Sequence, residues 1–312
     1  MGSDHIRRIR DRVHNARITA IVDIDEAKAH AAIAGIDGAR VHTDFTEALD
    51  SGEVDAVLIA TPGFLHEEIL LPTITRGLPV LCEKPLTPDS ASAWRVVQAE
   101  VAAGRRLVQV GFMRRFDAGY RAVRRAVCSG EHGQLLALDC EHINPSVPES
   151  YTGRNLIDDT VVHEFDGVRF FTGEEVASVQ VRVGKSSQQV STDGLVDPAQ
   201  VLISTTGGIR VTVNTHVTAG YGYAVTTRAT FEQGHVEAGV GEITAGFEER
   251  FVEAYDIEVQ EWVDGALEGR VSGPDAWDGY AAAACCEAGV HAVAEPGRVV
   301  EVALQDKPEL YA

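Results

Sequence analysis

The first 110 residues alternate between short apolar segments and amphipathic segments, and this feature restricts the possible folds more than any other. The apolar segments have the length and composition of buried strands, and the segments between them have the period of helices. The predicted strands are residues 18–22, 40–42, 54–60, 78–83 and 106–111. The predicted helices are residues 4–14, 26–34, 44–49, 65–76 and 88–103. Continuous apolar strands joined by helices are typical of a doubly wound, Rossmann-type parallel sheet.

The hydrophobic pattern changes after Gly111. Over residues 176–257 apolar side chains recur at every second position, as in Val179-Val181-Val183 and Ile209-Val211-Val213. Alternation of this kind predicts an open, largely antiparallel sheet that has one face in the core. We therefore expect an α/β protein with a dinucleotide-binding domain at residues 1–115 and a C-terminal α+β domain at residues 116–312.

The charge balance limits the partners of the chain. Asp and Glu number 47 against 27 Lys and Arg, which gives a net charge of −20. Such an acidic surface repels nucleic-acid phosphates and anionic lipids, so we expect neither nucleic acid nor a membrane as a partner. The chain has no apolar run long enough to cross a bilayer, and its five cysteines follow no metal-ligand spacing. We therefore expect a cytoplasmic protein with reduced thiols and no metal site.

Four predicted strands end in residues that could contact a ligand, because ligands of a doubly wound sheet bind beyond the carboxyl ends of its strands. Asp23 follows the first predicted strand and lies 21 residues after Gly2. This is close to the spacing of about 20 between a glycine turn and the acid that binds the ribose hydroxyls. An Asp at a strand end is otherwise often a helix cap, but Asp25 is better placed for that role. The other three strand ends are Thr61-Pro62, Glu83-Lys84 and Gly111-Phe112-Met113.

Lys84 is the strongest candidate for chemistry among these strand ends. Pro85 fixes its own φ and restricts the backbone of Lys84, so the amine has a defined direction. A lysine at a strand end can also serve solubility alone, which is the alternative. The buried strand before Lys84 and the helix start Thr87-Pro88-Asp89-Ser90 after it favour a functional lysine.

A second group of ionisable residues lies within a predicted helix at residues 159–171. Asp159 and His163 are four residues apart, so an α-helix would place them on one face, which Asp166 joins three residues later. A histidine that is braced by a carboxylate can accept the proton of a hydroxyl while hydride leaves its carbon. The same spacing also occurs in ordinary charge pairs on helix surfaces, which is the alternative.

Taken together, these motifs resemble the Gfo/Idh/MocA family of NAD(P)-dependent sugar and polyol dehydrogenases, and within it the enzymes that oxidise inositol. The matching motifs run along nearly the whole chain. They are Gly2-Ser3-Asp4-His5-Ile6-Arg7-Arg8, Cys82-Glu83-Lys84-Pro85-Leu86, Gly111-Phe112-Met113-Arg114-Arg115-Phe116-Asp117-Ala118-Gly119-Tyr120, His142-x-Asn144, Asp159-x-x-x-His163-Glu164-x-Asp166 and Tyr221-Gly222-Tyr223. The resemblance implies NAD-dependent oxidation of myo-inositol to an inosose. It also implies a homotetramer whose C-terminal domain binds substrate and forms subunit contacts. The alternatives are another sugar or polyol dehydrogenase of the family, or a non-enzymatic relative with impaired cofactor binding.

The resemblance also assigns roles to individual residues. In the implied catalytic triad, His163 accepts the hydroxyl proton, Asp159 orients its ring and Lys84 stabilises the reacting oxygen. The implied substrate-binding residues are Met113, His142, Asn144, Asp166 and one of Tyr221 and Tyr223. The implied cofactor-binding residues are Gly2, Asp23, Thr61, Pro62, His66, Glu83 and Lys84. A carboxylate at Asp23 repels a 2′-phosphate, so NAD is expected in preference to NADP.

One departure from the family pattern concerns the start of the chain. The family begins with a strand and a Gly-x-Gly-x-x-Gly turn, and Gly2 corresponds to the last glycine of that turn. The first strand and the first two glycines are absent, either because the start codon was assigned internally or because the chain is truncated. We expect strands 18–23 and 54–60 to flank a gap, and NAD affinity to be weaker than in a form extended upstream.

Overall fold

The computed structural model describes residues 1–190 and 194–312. Its helices are α1 (Gly2–Asp11), α2 (Glu26–Ala32), α3 (Phe45–Asp50), α4 (His66–Thr75), α5 (Ser90–Ala103), α6 (Ala118–Ser129), α7 (Gly153–Asn155), α8 (Val162–Thr172), α9 (Phe247–Arg250), α10 (Val252–Glu268) and α11 (Ala276–Ala294). Its strands are β1 (Ala20–Val22), β2 (Arg40–His42), β3 (Val57–Ile59), β4 (Val80–Glu83), β5 (Val108–Gly111), β6 (Leu135–Ile143), β7 (Val176–Val183), β8 (Ala199–Thr205), β9 (Arg210–His216), β10 (Ala224–Phe231), β11 (Gly234–Ala238) and β12 (Val299–Glu301). A π-helix, Leu156–Val161, joins α7 to α8.

Aspartate caps set the starts of several helices. Asp25 accepts the backbone N–H of Lys28 at 3.1 Å at the start of α2, which confirms the capping role predicted for this residue. Asp44 and Asp89 cap α3 and α5 in the same way. Helix α5 ends at Gly104, whose φ of 69° gives the left-handed turn that side chains disfavour. Local sequence therefore determines where these helices begin and end.

The chain folds as two compact units. The first unit contains residues 1–111, 255–280 and 307–312, and the second contains residues 112–254 and 281–306. This division differs from the expected single boundary after residue 115, because two later segments of the chain return to the first unit. None of the described helices is long and apolar enough to cross a membrane.

The parallel strands of the first unit lie in two separate sheets. Strand β1 pairs with β2, whereas β3, β4 and β5 form a second sheet with β4 at its centre. Every residue of β4 is buried, as expected for a parallel strand that is covered on both faces. Strands β1 and β3 are not paired in the described part of the chain, and the gap expected between them stays a prediction. Ile24, which follows β1, is 95% exposed.

Helix α10 occupies part of the region where the sequence predicted strands, so the expectation that period-two strands continue to residue 257 is wrong. Val259, Trp262 and Val263 are buried and lie three and four residues apart, which is the spacing of a helix. These three side chains pack with Val13, just after α1, and with Leu81 of β4. Tertiary packing on the first unit thus favours the helix over the short alternation of apolar and polar residues before it.

A seven-stranded sheet forms the centre of the second unit. Its strand order is β11-β10-β6-β9-β8-β7-β12, and β6 and β9 are its one parallel pair among the described strands. Val201 and Ile203 of β8 are buried while Leu202 between them is partly exposed, which confirms the predicted alternation. The edge strand β12 was not predicted, because three residues are too few to display a period.

Close packing holds the π-helix in the second unit. A Cβ at Gly289 of α11 would lie 2.7 Å from Cγ2 of Ile157, so this approach of α11 to the π-helix requires glycine. The ring of Tyr120 on α6 lies 5.3 Å from that of Phe171 on α8. These contacts position the segment that carries the candidate residues Asp159 and His163.

Candidate active site

Lys84 follows β4, the central strand of the three-stranded sheet in the first unit. The strand is buried, whereas Lys84 itself is only partly buried. Leu86, two residues later, is buried, and a Cβ at Gly279 of α11 would lie 2.7 Å from its Cβ. Packing on both sides of this corner therefore holds the backbone that carries the Lys84 amine, as its predicted role requires.

His66 joins the ends of β3 and β4. Its ring is fully buried, with Nε2 2.9 Å from the carbonyl oxygen of Thr61 and Nδ1 2.8 Å from that of Pro85. The structure therefore places this predicted cofactor-binding residue as a brace between the two strand ends. A direct contact between its ring and a cofactor stays a prediction.

Glu83, at the end of β4, is turned toward α1. Its Oε1 lies 2.6 Å from Nε2 of the buried His5. Arg8 lies 3.2 Å from the other ring nitrogen of His5 and donates a hydrogen bond of 2.7 Å to Asp256. A Cβ at Gly111 would lie 2.9 Å from Oε2 of Glu83, so glycine leaves room for the carboxylate. Glu83 thus connects β4 to α1, and its predicted contact with a cofactor stays a prediction.

Several groups in the first unit fit a nucleotide. Asp23 is exposed, and one of its carboxylate oxygens accepts the backbone N–H of Asp25 at 2.9 Å. The buried Oγ1 of Thr61 has no hydrogen-bond partner among the described residues, so it is available to form a hydrogen bond with a ligand. Pro62 is exposed beside it. Gly2 opens α1, and a Cβ there would meet nothing within 4 Å. The residues present are therefore compatible with NAD.

A buried cluster in the second unit contains Arg114. This residue lies on the 3₁₀ turn Met113–Phe116 and is 1% exposed, and the predicted substrate residue Met113 is also buried. The Nη1 atom of Arg114 donates to Glu164 of α8 at 2.5 Å and to the hydroxyl of Tyr120 at 3.2 Å. His142, at the end of β6, contacts both Arg114 and Glu164. An ion pair therefore lies directly against a predicted substrate-binding residue.

Burial and neighbouring charges set the protonation states of this cluster. Burial alone would lower the pKa of Arg114, but Glu164, Tyr120 and Tyr223 together outweigh it, so the pKa is raised. Burial alone would raise the pKa of Glu164, but the charge of Arg114 and the hydrogen bonds from Arg114 and His142 hold it below its ordinary value. Burial lowers the pKa of His142, and the opposing charge of Glu164 does not restore it. The cluster at pH 7 is therefore an ion pair beside a neutral histidine.

His163 lies at the start of α8 and is buried. Its ring centroid lies 6.3 Å from that of His142, and it meets Phe112 edge-on, also at 6.3 Å. The structure thus brings the predicted proton acceptor together with a predicted substrate ligand.

Asp159 lies on the π-helix, which corrects the continuous α-helix predicted for residues 159–171. The π-helix ends at Val161 and α8 begins at the next residue. Its wider turn changes the angle between side chains four residues apart, so the α-helical argument for a shared face of Asp159 and His163 does not hold. Asp159 is exposed. Burial lowers the pKa of His142, and Asp159 is among the charges that oppose this effect. The bracing of His163 by Asp159 stays a prediction.

Asp166 and Asn144 have protein partners inside the second unit. Nε of Arg115 lies 3.0 Å from both carboxylate oxygens of Asp166, and its Nη2 lies 2.6 Å from Oδ1. Asp166 is buried. The side-chain amide of Asn144 donates to the hydroxyl of Thr160 at 3.4 Å. The contacts of Asp166 and Asn144 with a substrate stay predictions.

Of the two tyrosines that the sequence left open, Tyr223 contacts the buried cluster. It is 4% exposed, whereas Tyr221 is 60% exposed. The Tyr223 ring meets the His142 ring edge-on, with centroids 5.8 Å apart and an interplanar angle of 87°. The geometry therefore favours Tyr223 as the substrate-binding tyrosine.

Comparison with known proteins identifies the family of this chain. Residues 1–112 match a Gfo/Idh/MocA profile described as an oxidoreductase family with an NAD-binding Rossmann fold, and residues 120–237 match the Gfo/Idh/MocA C-terminal domain. The chain is 54% identical to inositol 2-dehydrogenase 1 of Paenarthrobacter aurescens, over 100% of this chain and 96% of the relative. The chain belongs to the Gfo/Idh/MocA family.

Further similarities support the same family assignment. Inositol 2-dehydrogenase of Renibacterium salmoninarum is 53% identical, over 100% of this chain and 97% of the relative. The crystal structure of myo-inositol dehydrogenase from Lactobacillus casei, in complex with NAD(H) and myo-inositol, has a TM-score of 0.95 at 32% identity. That comparison covers 100% of this chain and 96% of the other. The fold is therefore the Rossmann-type domain and mainly antiparallel C-terminal domain of a Gfo/Idh/MocA oxidoreductase.

Two charged residues of this Gfo/Idh/MocA site received no role from the sequence. Arg114 and Glu164 occur in the motifs that carry the family resemblance, but their pairing was not predicted. The sequence did offer one signal that both side chains are buried, because each lies close to apolar residues in a segment with the composition of a buried one. A buried charge requires a partner, yet no local pattern names a partner 50 residues away.

Proposed function

We propose that this Gfo/Idh/MocA protein is an inositol 2-dehydrogenase, which oxidises a ring hydroxyl of myo-inositol to a ketone and gives an inosose, with NAD as hydride acceptor. The observation that carries the proposal is the identity of 52–54% across the whole chain to three curated relatives with that name. The geometry agrees with it, because His142 and His163 lie side by side in the buried part of the second unit.

Charge pairing in the second unit favours a neutral substrate. Glu164 and Asp166 each form an ion pair with an arginine of the Met113–Phe116 turn. Because both carboxylates are compensated, they add no net charge to attract or repel an ionic substrate. The neutral groups nearby can exchange hydrogen bonds with hydroxyls. They are His142, Asn144 and Tyr223. Such groups suit an unphosphorylated polyol.

Three side chains carry the proposed chemistry. His163 accepts the proton of the hydroxyl that becomes the carbonyl, which is the ordinary role of a catalytic imidazole. Lys84 donates a hydrogen bond to the same oxygen and stabilises its developing negative charge. Asp159 restrains the His163 ring and stabilises the imidazolium that forms.

The cofactor role belongs to residues of the first unit. When bound, NAD supplies the acceptor for the hydride. The exposed carboxylate of Asp23 would accept hydrogen bonds from the ribose hydroxyls. Thr61 and Pro62 would line the end of β3, and the first turn of α1 at Gly2 would favour the phosphates. The negative charge of Asp23 repels a 2′-phosphate, so we propose NAD in preference to NADP.

A panel of cyclitols and aldoses, assayed by NADH formation, tests the proposed function. We expect the highest kcat/KM for myo-inositol and a lower value for glucose. A clear preference for an acyclic or phosphorylated sugar would move the protein to another dehydrogenase of the family. Failure of every substrate, together with no NAD binding in calorimetry, would indicate a non-enzymatic relative.

We further propose that the protein acts in inositol catabolism as a cytoplasmic homotetramer. Its five cysteines are free, which suits a reducing compartment. The large open sheet of the second unit has one face whose side chains are only partly buried along β8, and open sheets are commonly covered by another layer. Light scattering should give four times the chain mass of 33.5 kDa. A mass equal to one chain would contradict the tetramer.

A further inference from the structure

We propose that Glu164 and Arg114 hold His142 as the neutral tautomer with its proton on Nδ1, so that Nε2 accepts a hydrogen bond from a substrate hydroxyl. In this account Glu164 and Arg114 are positioning residues that act through His142. The inference deepens the proposed function and rests on it for the identity of the hydroxyl donor. The tautomer itself can be measured without any substrate.

Arg114 lies over the face of the His142 ring. Its Nη2 atom is 3.1 Å from Nδ1 and 3.5 Å from Nε2. The lone pairs of the two ring nitrogens point outward in the ring plane and diverge, so an atom this close to both nitrogens lies along neither lone pair. The in-plane position between the nitrogens is occupied by Cε1 and its hydrogen. Arg114 therefore contacts the ring face and does not take the in-plane position at Nδ1.

Glu164 takes the position at Nδ1. Its two carboxylate oxygens lie 3.1 and 3.2 Å from that atom. Burial would raise the pKa of Glu164, but Arg114 and His142 lower it, so the group is ionised at pH 7. An ionised carboxylate can only accept hydrogen bonds, and it repels a lone pair. The proton of His142 therefore lies on Nδ1.

The ring holds only this one proton at pH 7. His142 is 3% exposed, and burial lowers its pKa. Glu164 opposes that effect, whereas the positive charge of Arg114 over the ring adds to it. With Nδ1 protonated and the ring neutral, Nε2 carries a lone pair. In proteins the hydrogen bond at one ring nitrogen decides the state of the other, and here the ion pair makes that decision.

An acceptor at Nε2 selects for a substrate group that can donate a hydrogen bond. A ring hydroxyl donates, whereas a fluorine atom in its place cannot. A site that is built around one hydrogen bond rejects an analogue that lacks it more strongly than an apolar pocket rejects a change of size. We therefore expect the monofluoro-deoxyinositol whose fluorine replaces the hydroxyl that faces His142 to bind about tenfold or more weakly than myo-inositol.

NMR of the full chain labelled with ¹⁵N-histidine reads the tautomer directly. The chain has 11 histidines, so the His142 signals are assigned as those that His142→Gln removes. We expect a neutral ring at pH 7 with its proton on Nδ1. A proton on Nε2, or a charged ring, would overturn the inference. Because this measurement uses no substrate, its result is independent of whether the protein oxidises inositol.

Glu164→Gln provides the second arm of the test. The amide oxygen of Gln should face Arg114, which needs an acceptor, so the amide NH₂ then faces Nδ1 and moves the ring proton to Nε2. We expect this shift in the NMR spectrum, with KM for myo-inositol raised about tenfold or more and kcat changed less. Retention of the Nδ1 proton together with an unchanged KM would contradict the positioning role. If the variant does not fold, the wild-type spectrum still decides the tautomer.

Glu175→Gln is the matched control. Glu175 accepts hydrogen bonds of 2.6 and 3.0 Å from Arg169, which also lies on α8 and is also buried. The substitution removes a carboxylate from an Arg–Glu pair of the same unit without touching His142. We expect the His142 spectrum and KM of the control to match those of the wild-type protein. A control that shifts the His142 proton as Glu164→Gln does would show that the effect is not specific to Glu164.

Discussion

The hydroxyl of Tyr311 donates a hydrogen bond of 2.5 Å to Oε2 of Glu100. Glu100 lies on α5 and is completely buried, and its Oε1 accepts the backbone N–H of Val108 at 2.8 Å. Burial raises the pKa of Glu100 to about 7, although these hydrogen bonds oppose the effect. The end of the chain is therefore tied to α5 through a carboxyl group that titrates near neutral pH.

The raised pKa of Glu100 predicts that the folded protein loses stability as the pH rises through about 7. Between the ordinary pKa of 4.5 and this value, folded Glu100 holds a proton that the unfolded chain releases. The contribution is complete below pH 4.5, and its loss amounts to about 3 kcal/mol. The free energy of unfolding of Glu100→Gln and of wild type should be measured with urea at pH 5 and pH 8. Relative to wild type, the variant should be more stable at pH 8 than at pH 5, by about that amount.

Two outcomes decide the Glu100 prediction. An equal difference between Glu100→Gln and wild type at pH 5 and pH 8 would contradict it. Tyr311→Phe removes a hydrogen bond that lowers the pKa of Glu100, so the pKa should rise further in this variant. The variant should therefore lose the Glu100 contribution to stability at a higher pH than wild type does.

For catalysis, we expect His163→Ala and Lys84→Ala each to lower kcat by about a hundredfold or more, because each residue acts on the reacting oxygen. Asp159→Asn should cost less, since the imidazole survives with poorer orientation. His235→Ala is the control, because this histidine lies on β11 and its side chain is 51% exposed. Steady-state kinetics with circular dichroism would separate lost activity from lost fold. Near-normal turnover of His163→Ala would remove it from the role of proton acceptor.

For cofactor choice, Asp23→Ser should narrow the preference for NAD over NADP, because it removes the charge that repels a 2′-phosphate. Asp25→Ser is a matched control two residues away. Serine can still cap α2, so the control should keep both the helix and the preference. The ratio of kcat/KM for the two cofactors is the measurement. A wild-type protein that uses NADP as well as NAD would rule out this role for Asp23.

For substrate binding, Tyr223→Phe should raise KM for myo-inositol by about tenfold, the value of one lost hydrogen bond in a buried site. Tyr221→Phe should change KM by less than about twofold, because a surface hydroxyl exchanges its hydrogen bonds with water. Each of the two substitutions removes one hydroxyl oxygen, so their steric effects are matched. A larger effect at Tyr221 would reverse the assignment drawn from their exposures of 60% and 4%.

Local chemistry made much of the first unit predictable from the sequence. Apolar strands identify themselves by composition, and caps such as Asp25 depend on neighbours within four residues. The N-terminal part of α10, before Val259, was predicted as a strand because its apolar and polar residues alternate over a short stretch. Packing of α10 on Leu81, which the sequence does not show, favours the helix. Other elements, such as the three-residue strand β12, were too short for their hydrophobic pattern to predict them.

The candidate site was predictable in its residues but less so in its geometry. Motifs selected His142 and His163, and the structure places their rings side by side. The π-helix at Asp159 was not predictable, since no local signal distinguishes its wider turn from an α-helix. The Arg114–Glu164 pair joins residues 50 positions apart, so only the folded chain reveals it.

myo-Inositol that carries deuterium at C2 tests the central claim most directly. A 2-dehydrogenase removes the hydrogen bound to C2, so every reduced cofactor molecule should carry one deuterium and the inosose should carry none. Mass spectrometry of both products measures this transfer. The account predicts that every NADH molecule carries one deuterium and that the ketone is unlabelled. Unlabelled NADH would place the oxidation at another carbon, and no NADH at all would contradict the proposed activity.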